Sequence, residues 1–154
     1  MKSIAAIQLD PKSNLIVDEI DIPDPIKTQV QVKLISSGIC HSQLHHMHDA
    51  KLTRPLSLGH EAVGVVTKVG PDSTYVKEGD HVIVTWVSRI QRTGRYLPTI
   101  EGVSYKEKPV NVRIVFTWAE TIICEDEFLV KIDSKDSSPE SSESELESND
   151  SNSD

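Results

Sequence analysis

Cysteine is scarce in this 154-residue chain, with only Cys40 and Cys124 present. Two thiols so far apart make no disulfide framework, and a lone Cys beside a His fits a reducing compartment. Long apolar runs are absent too. No stretch approaches a membrane span, and Met1–Ile7 is too short an apolar run for a signal peptide. The expectation is a soluble, cytoplasmic protein with no membrane partner. Positive charge is in deficit, 16 Lys and Arg against 24 Asp and Glu. No basic cluster marks a nucleic-acid surface. Glycine numbers seven, none follows Gly102, and no G-x-G-x-x-G occurs, so the residues carry no dinucleotide fingerprint. No internal repeat is visible.

The acidic excess is uneven. Residues 133–154 hold eight acidic side chains against Lys135, which leaves the rest of the chain near −1. The same segment has nine serines and one sizeable apolar side chain, Leu146. It cannot bury enough surface to offset its ordering entropy, so a disordered acidic tail is expected there. Residues 1–132 are left as one domain with a modest core.

Within that domain the signals are short strands and frequent turns. Residues 2–9 and 15–20 read as strands flanking a turn at 10–14, and Pro23 and Pro25 mark an extended connection. Val30, Val32 and Leu34 alternate with Gln31 and Lys33, a strand with one buried face. Residues 62–69, 81–87, 110–114 and 121–130 read as further strands, and 41–49 as a short helix. The fold class is mostly β. Gly64, Gly70, Gly79 and Asp80 read as backbone and turn devices, His81 as a strand residue, and Cys124 as a packed thiol.

The chemistry concentrates between Gly38 and Glu61. Cys40 and His60 are ligand types that Zn²⁺ accepts, and Glu61 adds a carboxylate beside them. Gly38 and Gly59 allow tight turns or close approach next to both ligand positions. By spacing alone a Cys and a His twenty residues apart are a moderate metal signature, since the pair also occurs by chance in many chains. His41, His45, His46 and His48 can be read either as a metal-capturing cluster at helical spacing or as solvated and partly packed side chains. Arg89, Arg92, Arg95 and Lys106 form a locally basic stretch, read as a solvated loop or a phosphate contact.

Several runs in order, Gly38–Ser42, Gly59–Glu61, Gly64–Gly70, Gly79–Ile83, Thr117–Glu120 and Phe128–Ile132, resemble the N-terminal catalytic domain of the zinc-dependent medium-chain alcohol dehydrogenases. The resemblance covers residues 1–132. It implies a GroES-like, partly open β-barrel with short helices, and zinc held by Cys40, His60 and Glu61. It also implies catalytic roles for Ser42, at the substrate oxygen, and for His45, at the outlet of a proton relay, with His41 near the cofactor pyrophosphate. Gln43 departs from the aspartate common in the family, and the cysteine-bearing lobe expected within 88–116 has no cysteine. The family's nicotinamide cofactor, NAD(P), and third zinc thiolate come from a nucleotide-binding domain after about residue 133, for which no fingerprint occurs here. Activity is therefore expected only with such a domain or a partner chain, acting on a small alcohol or carbonyl compound. A barrel without its usual neighbour is expected to expose apolar surface and form homo-oligomers. Two other readings stay open: a stand-alone zinc- or ligand-binding module, and a structural or interaction protein.

Overall fold

The computed structural model describes residues 1–91 and 100–132. The expected tail at 133–154, and Arg92 and Arg95 of the basic stretch, lie outside the described residues. Ten short strands and one helix follow in chain order: β1 (Lys2–Gln8), β2 (Ile16–Asp21), β3 (Gln29–Ser37), α1 (Ser42–His48), β4 (Leu56–Ser57), β5 (Glu61–Val69), β6 (His81–Thr85), β7 (Ser104–Tyr105), β8 (Lys108–Pro109), β9 (Thr121–Glu125) and β10 (Leu129–Lys131). They make two five-stranded sheets, ordered β4-β1-β2-β7-β8 and β10-β6-β5-β3-β9. All the strand pairings are antiparallel; β1 runs against β2 from Lys2↔Asp21 to Ile7↔Ile16.

The sheets curl toward each other through residues 117–120. Ala6 N–H donates to Trp118 C=O (2.8 Å) and Glu120 N–H to Ile4 C=O (2.9 Å), while Leu34 N–H donates to Glu120 C=O (2.8 Å). One irregular segment thus links β1 of the first sheet to β3 of the second, which closes part of a barrel without a continuous ladder. The core between the sheets contains Ile7, Ile20, Val30, Val32, Val82, Val84, Phe116, Ile122 and Phe128. This is the expected GroES-like partial barrel. Among the described residues no helix is long and apolar enough to cross a membrane.

Three elements differ from their sequence reading. Residues 110–114 form no strand. Val110, Val112 and Ile114 are buried, but only Asn111 bridges, to Leu56, and Arg113 takes φ +54°. The expected strand at 121–130 is broken at Asp126–Phe128 by a 3-10 turn. The strand at 81–87 stops at Thr85, so Trp86 and Val87 lie beyond it and are exposed. Exposed apolar side chains do occur: Ile39 is 85% exposed and Val17 73%.

Candidate metal centre and adjoining cleft

Cys40 follows the end of β3, and His60 and Glu61 lie at the start of β5. Because β3 and β5 are neighbours in the sheet, residues twenty apart in sequence meet in space. Gly38 N–H donates to Glu61 C=O (2.9 Å). Thr117 Oγ1 and Ser37 Oγ bond each other at 2.9 Å, and Thr117 Oγ1 also donates to Glu61 C=O (3.2 Å). Trp118 N–H donates to Leu58 C=O (2.9 Å), and its Nε1–H to Gly38 C=O (3.2 Å). The segment that joins the two sheets therefore also ties both ligand loops together.

Two glycines are required for this approach. A Cβ on Gly38 would lie 2.6 Å from Glu61 Cγ, far inside contact distance, so glycine is what admits the Glu61 side chain. Gly59 takes φ +102°, and a Cβ there would lie 2.5 Å from Thr117 Oγ1. Both space and backbone exclude a side chain beside His60.

One donor atom from each of Cys40, His60 and Glu61 lies within 4.8 Å of the others. Cys40 and His60 are half-buried and Glu61 is exposed. A thiolate, an imidazole and a carboxylate at this separation form a donor set suited to Zn²⁺. Ser42 Oγ donates to Cys40 Sγ (3.4 Å). That bond, helped by the Ser42 and His41 N–H groups, lowers the Cys40 thiol below its ordinary pKa against opposition from desolvation and the Glu61 charge. A thiol held toward its anion is better prepared to ligate.

Gln43, fully buried on α1, sits between the two ligands. Its Oε1 accepts from Cys40 N–H (2.6 Å), and its Nε2 faces His60 Nδ1 at 3.3 Å. The Cys40 contact fixes which way the amide points, because only the oxygen can accept. His60 Nδ1 thus meets a donor. An imidazole that ligates metal through Nε2 needs Nδ1–H, and that proton needs an acceptor. The donor set fits zinc, and for ligation through His60 Nε2 the Gln43 amide N–H₂ would oppose the tautomer needed.

Arg54 anchors the helix. Its guanidinium donates to the C=O of Leu52 (2.7 Å), His46 (3.2 Å) and Met47 (3.2 Å), and its Nε–H to Gln8 Oε1 (3.0 Å). These bonds satisfy carbonyls at the helix C-terminus and hold α1 against β1.

Beside the donors lies a cleft of about 570 Å³. Ser42, Gln43, Cys40 and His60 line it with Trp86, Phe128, His46 and Arg113. Trp86 meets the His60 ring edge-on, with centroids 6.4 Å apart. Of the histidines on the helix, His46 enters the cleft lining. Burial, then the neighbouring Arg113 charge, depresses its pKa. His45 and His41 are exposed and pack ring to ring, with centroids 5.2 Å apart. Ser42 therefore stands at the donors, while His41 and His45 stand outside the cleft lining. Sequence reasoning missed His46, Trp86, Phe128 and Arg113 as cleft residues, because nothing in their spacing sets them apart from packed or solvated side chains. Arg89 is structural: it stacks on Tyr75 and donates to Leu129 C=O (2.8 Å) and Asp126 C=O (3.1 Å). Lys106 pairs with Asp18 at the surface.

Comparison with known proteins identifies the family of this fold. Residues 26–134 match the family described as the alcohol dehydrogenase GroES-like domain. An alcohol dehydrogenase of Moraxella sp. (strain TAE123) is 41% identical over 86 residues, 54% of this chain and 25% of that protein. An S-(hydroxymethyl)glutathione dehydrogenase of Photobacterium damsela subsp. piscicida is 44% identical over 85 residues, 54% of this chain and 23% of that protein. The chain thus spans about a quarter of the length of these relatives. Among solved structures, an alcohol dehydrogenase zinc-binding domain protein from Burkholderia ambifaria matches 88% of this chain and 43% of its own, with TM-score 0.74 and 19% identity. Benzyl alcohol dehydrogenase from Acinetobacter calcoaceticus matches 87% and 42%, with TM-score 0.68 and 22% identity. At these identities the structures establish the fold alone.

Proposed function

This chain belongs to the alcohol dehydrogenase GroES-like domain family, and from that premise we propose that it is the catalytic half of an alcohol–carbonyl oxidoreductase. Cys40, His60 and Glu61 would hold the zinc, and a nucleotide-binding domain or partner chain would bring NAD(P). The observation that carries the reading is the convergence of those three donors at the edge of a cleft. Zinc supplies Lewis acidity that polarises a carbonyl or lowers the pKa of an alcohol. The chain's own residues position and deprotonate. Trp86, Phe128 and Leu58 give the cleft an apolar wall that excludes water from a small alcohol or aldehyde. Ser42, at the donors, is placed to accept a hydroxyl proton. His45 is exposed three residues further along α1, so a proton leaving by this side reaches solvent past an imidazole. His41, beside it, faces the outside, where an anionic cofactor group would approach.

A second reading has one observation in its favour. Donors and cleft are complete within the described residues, as a stand-alone zinc- or ligand-binding module requires. A native mass spectrum of chain never exposed to chelator tests the shared premise. One zinc per chain, lost in Cys40→Ser and in His60→Ala, is expected. A metal-free wild-type chain overturns it. Alcohol-dependent reduction of NAD(P)+ by the zinc-loaded chain mixed with the nucleotide-binding domain of a related dehydrogenase then separates the oxidoreductase, which turns over, from the module, which does not.

A further inference from the structure

Arg113 is the cleft residue that the metal centre leaves unexplained. It is half-buried in the lining with His46, Trp86 and Phe128, and no described residue forms a hydrogen bond, ion pair or ring contact with its side chain. Arg54 and Arg89 show the contrast, since each spends its guanidinium on backbone carbonyls. A guanidinium carries five donors and keeps its charge throughout the ordinary pH range. Partly desolvated and unpaired, it is a cost to the fold unless an anion meets it.

The backbone adds to that cost. Arg113 takes φ +54°, the left-handed region that residues with a Cβ seldom adopt, and strain of this kind at a non-glycine residue points toward function. The charged and titratable groups around it offer no internal partner. His46 is held toward its neutral form by burial and by Arg113 itself. Cys40 and His60 belong to the metal centre, as does Glu61, and Glu127 accepts from the Ser88 hydroxyl. No carboxylate is among the residues that line the cleft.

We infer that Arg113 is a specificity-determining residue that receives the carboxylate of an alcohol or aldehyde substrate, whose reacting oxygen lies at the Cys40–His60–Glu61 end of the cleft. The inference rests on the function proposed above and narrows its substrate to one bearing a carboxylate. Guanidinium and carboxylate match as a two-pronged, charge-assisted pair. Between the two ends, Trp86 and Phe128 suit an apolar body.

Two probes of similar shape test this, 4-(hydroxymethyl)benzoate and its neutral analogue 4-methylbenzyl alcohol, titrated into the full chain by NMR. The carboxylate probe is expected to bind about tenfold more tightly, and the preference to shrink as salt rises. Arg113→Gln should erase the preference, while Arg113→Lys should keep part of it. Arg113→Gly relieves the backbone, so it should stay folded and still lose the preference. Equal affinities for the two probes in the wild-type chain overturn the inference, as does an undiminished preference in a folded Arg113→Gln or Arg113→Gly chain. Zinc content, measured in the same samples, separates the two claims. A zinc-free chain that still prefers the carboxylate through Arg113 removes the dehydrogenase reading alone. A zinc-binding chain with no preference removes the Arg113 assignment alone.

Discussion

At Gln43 the orientation of one amide bears directly on the proposed zinc site. The amide oxygen is committed to Cys40 N–H, so the amide N–H₂ is what His60 Nδ1 meets. An aspartate of suitable reach accepts from both groups and supports the metal-binding tautomer. Gln43→Asp should therefore raise zinc affinity by roughly tenfold or more, measured by competition with a chromophoric chelator; unchanged or weaker affinity contradicts the tautomer argument. The two thiols differ as sharply. Cys40 is half-buried and its thiol is shifted toward the anion by Ser42, whereas burial pushes the Cys124 thiol well above its ordinary pKa. A thiol reagent should label one cysteine per folded chain and the second only on denaturation, with zinc protecting the first. Labelling of Cys124 in the folded chain runs against its burial. The meeting of Cys40, His60 and Glu61, whose donor atoms lie within 4.8 Å of one another, was legible through the family resemblance and not through their spacing. Arg113 was not, because an arginine between valine and isoleucine reads as the solvent side of a strand.

Among the elements, hydrophobic alternation was read correctly as burial and incorrectly as pairing. Val110, Val112 and Ile114 are buried as their spacing implies, yet the backbone there finds one bridge and no ladder. Periodicity records which side chains leave water; a strand also needs a neighbouring edge, and that is a property of the whole sheet. In β3 the register slips at Gln31/Val32 and again at Leu34/Ser36, and Ile35 is left 64% exposed. Asp80, read from sequence as a turn device, does more than turn the chain. Its carboxylate accepts from Lys77 N–H (2.9 Å) and pairs with Lys131 Nζ (2.9 Å) on β10, next to β6. Burial works against the charge, but the Lys131 ammonium and the Lys77 N–H outweigh it, and the net pKa lies below the ordinary value. A depressed carboxylate stabilises the fold above its unfolded-state pKa, and that contribution disappears as pH falls through the folded-state value. Asp80→Asn should cost about 1 kcal/mol at pH 7 and flatten the acid limb of a stability–pH curve from urea denaturation. An unchanged acid limb would show that the pair contributes nothing.

For the molecule as a whole, zinc held by the three donors would add a clip to β3 and β5, strands that the sheet already pairs as far as Ser37↔Ala62. Cys40 follows β3 and His60–Glu61 opens β5, so an ion held by all three clips two neighbouring strands at one end of the barrel. The overall fold was legible because six motifs in order outweigh any single one, whereas the closure through residues 117–120 was not, since it runs through irregular backbone. Ligand binding to the native state alone stabilises by RT ln(1 + [L]/Kd), about 2.7 kcal/mol at a hundredfold excess over Kd. For a domain of this size that corresponds to a rise in Tm of roughly 10 °C. Calorimetry of the full chain with and without zinc should show the rise, a chelator should reverse it, and Cys40→Ser should lack it. The dependence on zinc concentration carries the diagnosis. A Tm that climbs with the logarithm of free zinc marks a site formed in the folded state. A fall in Tm on adding zinc means that the ion prefers the unfolded chain's Cys and His side chains, and the three donors then do not form a native centre.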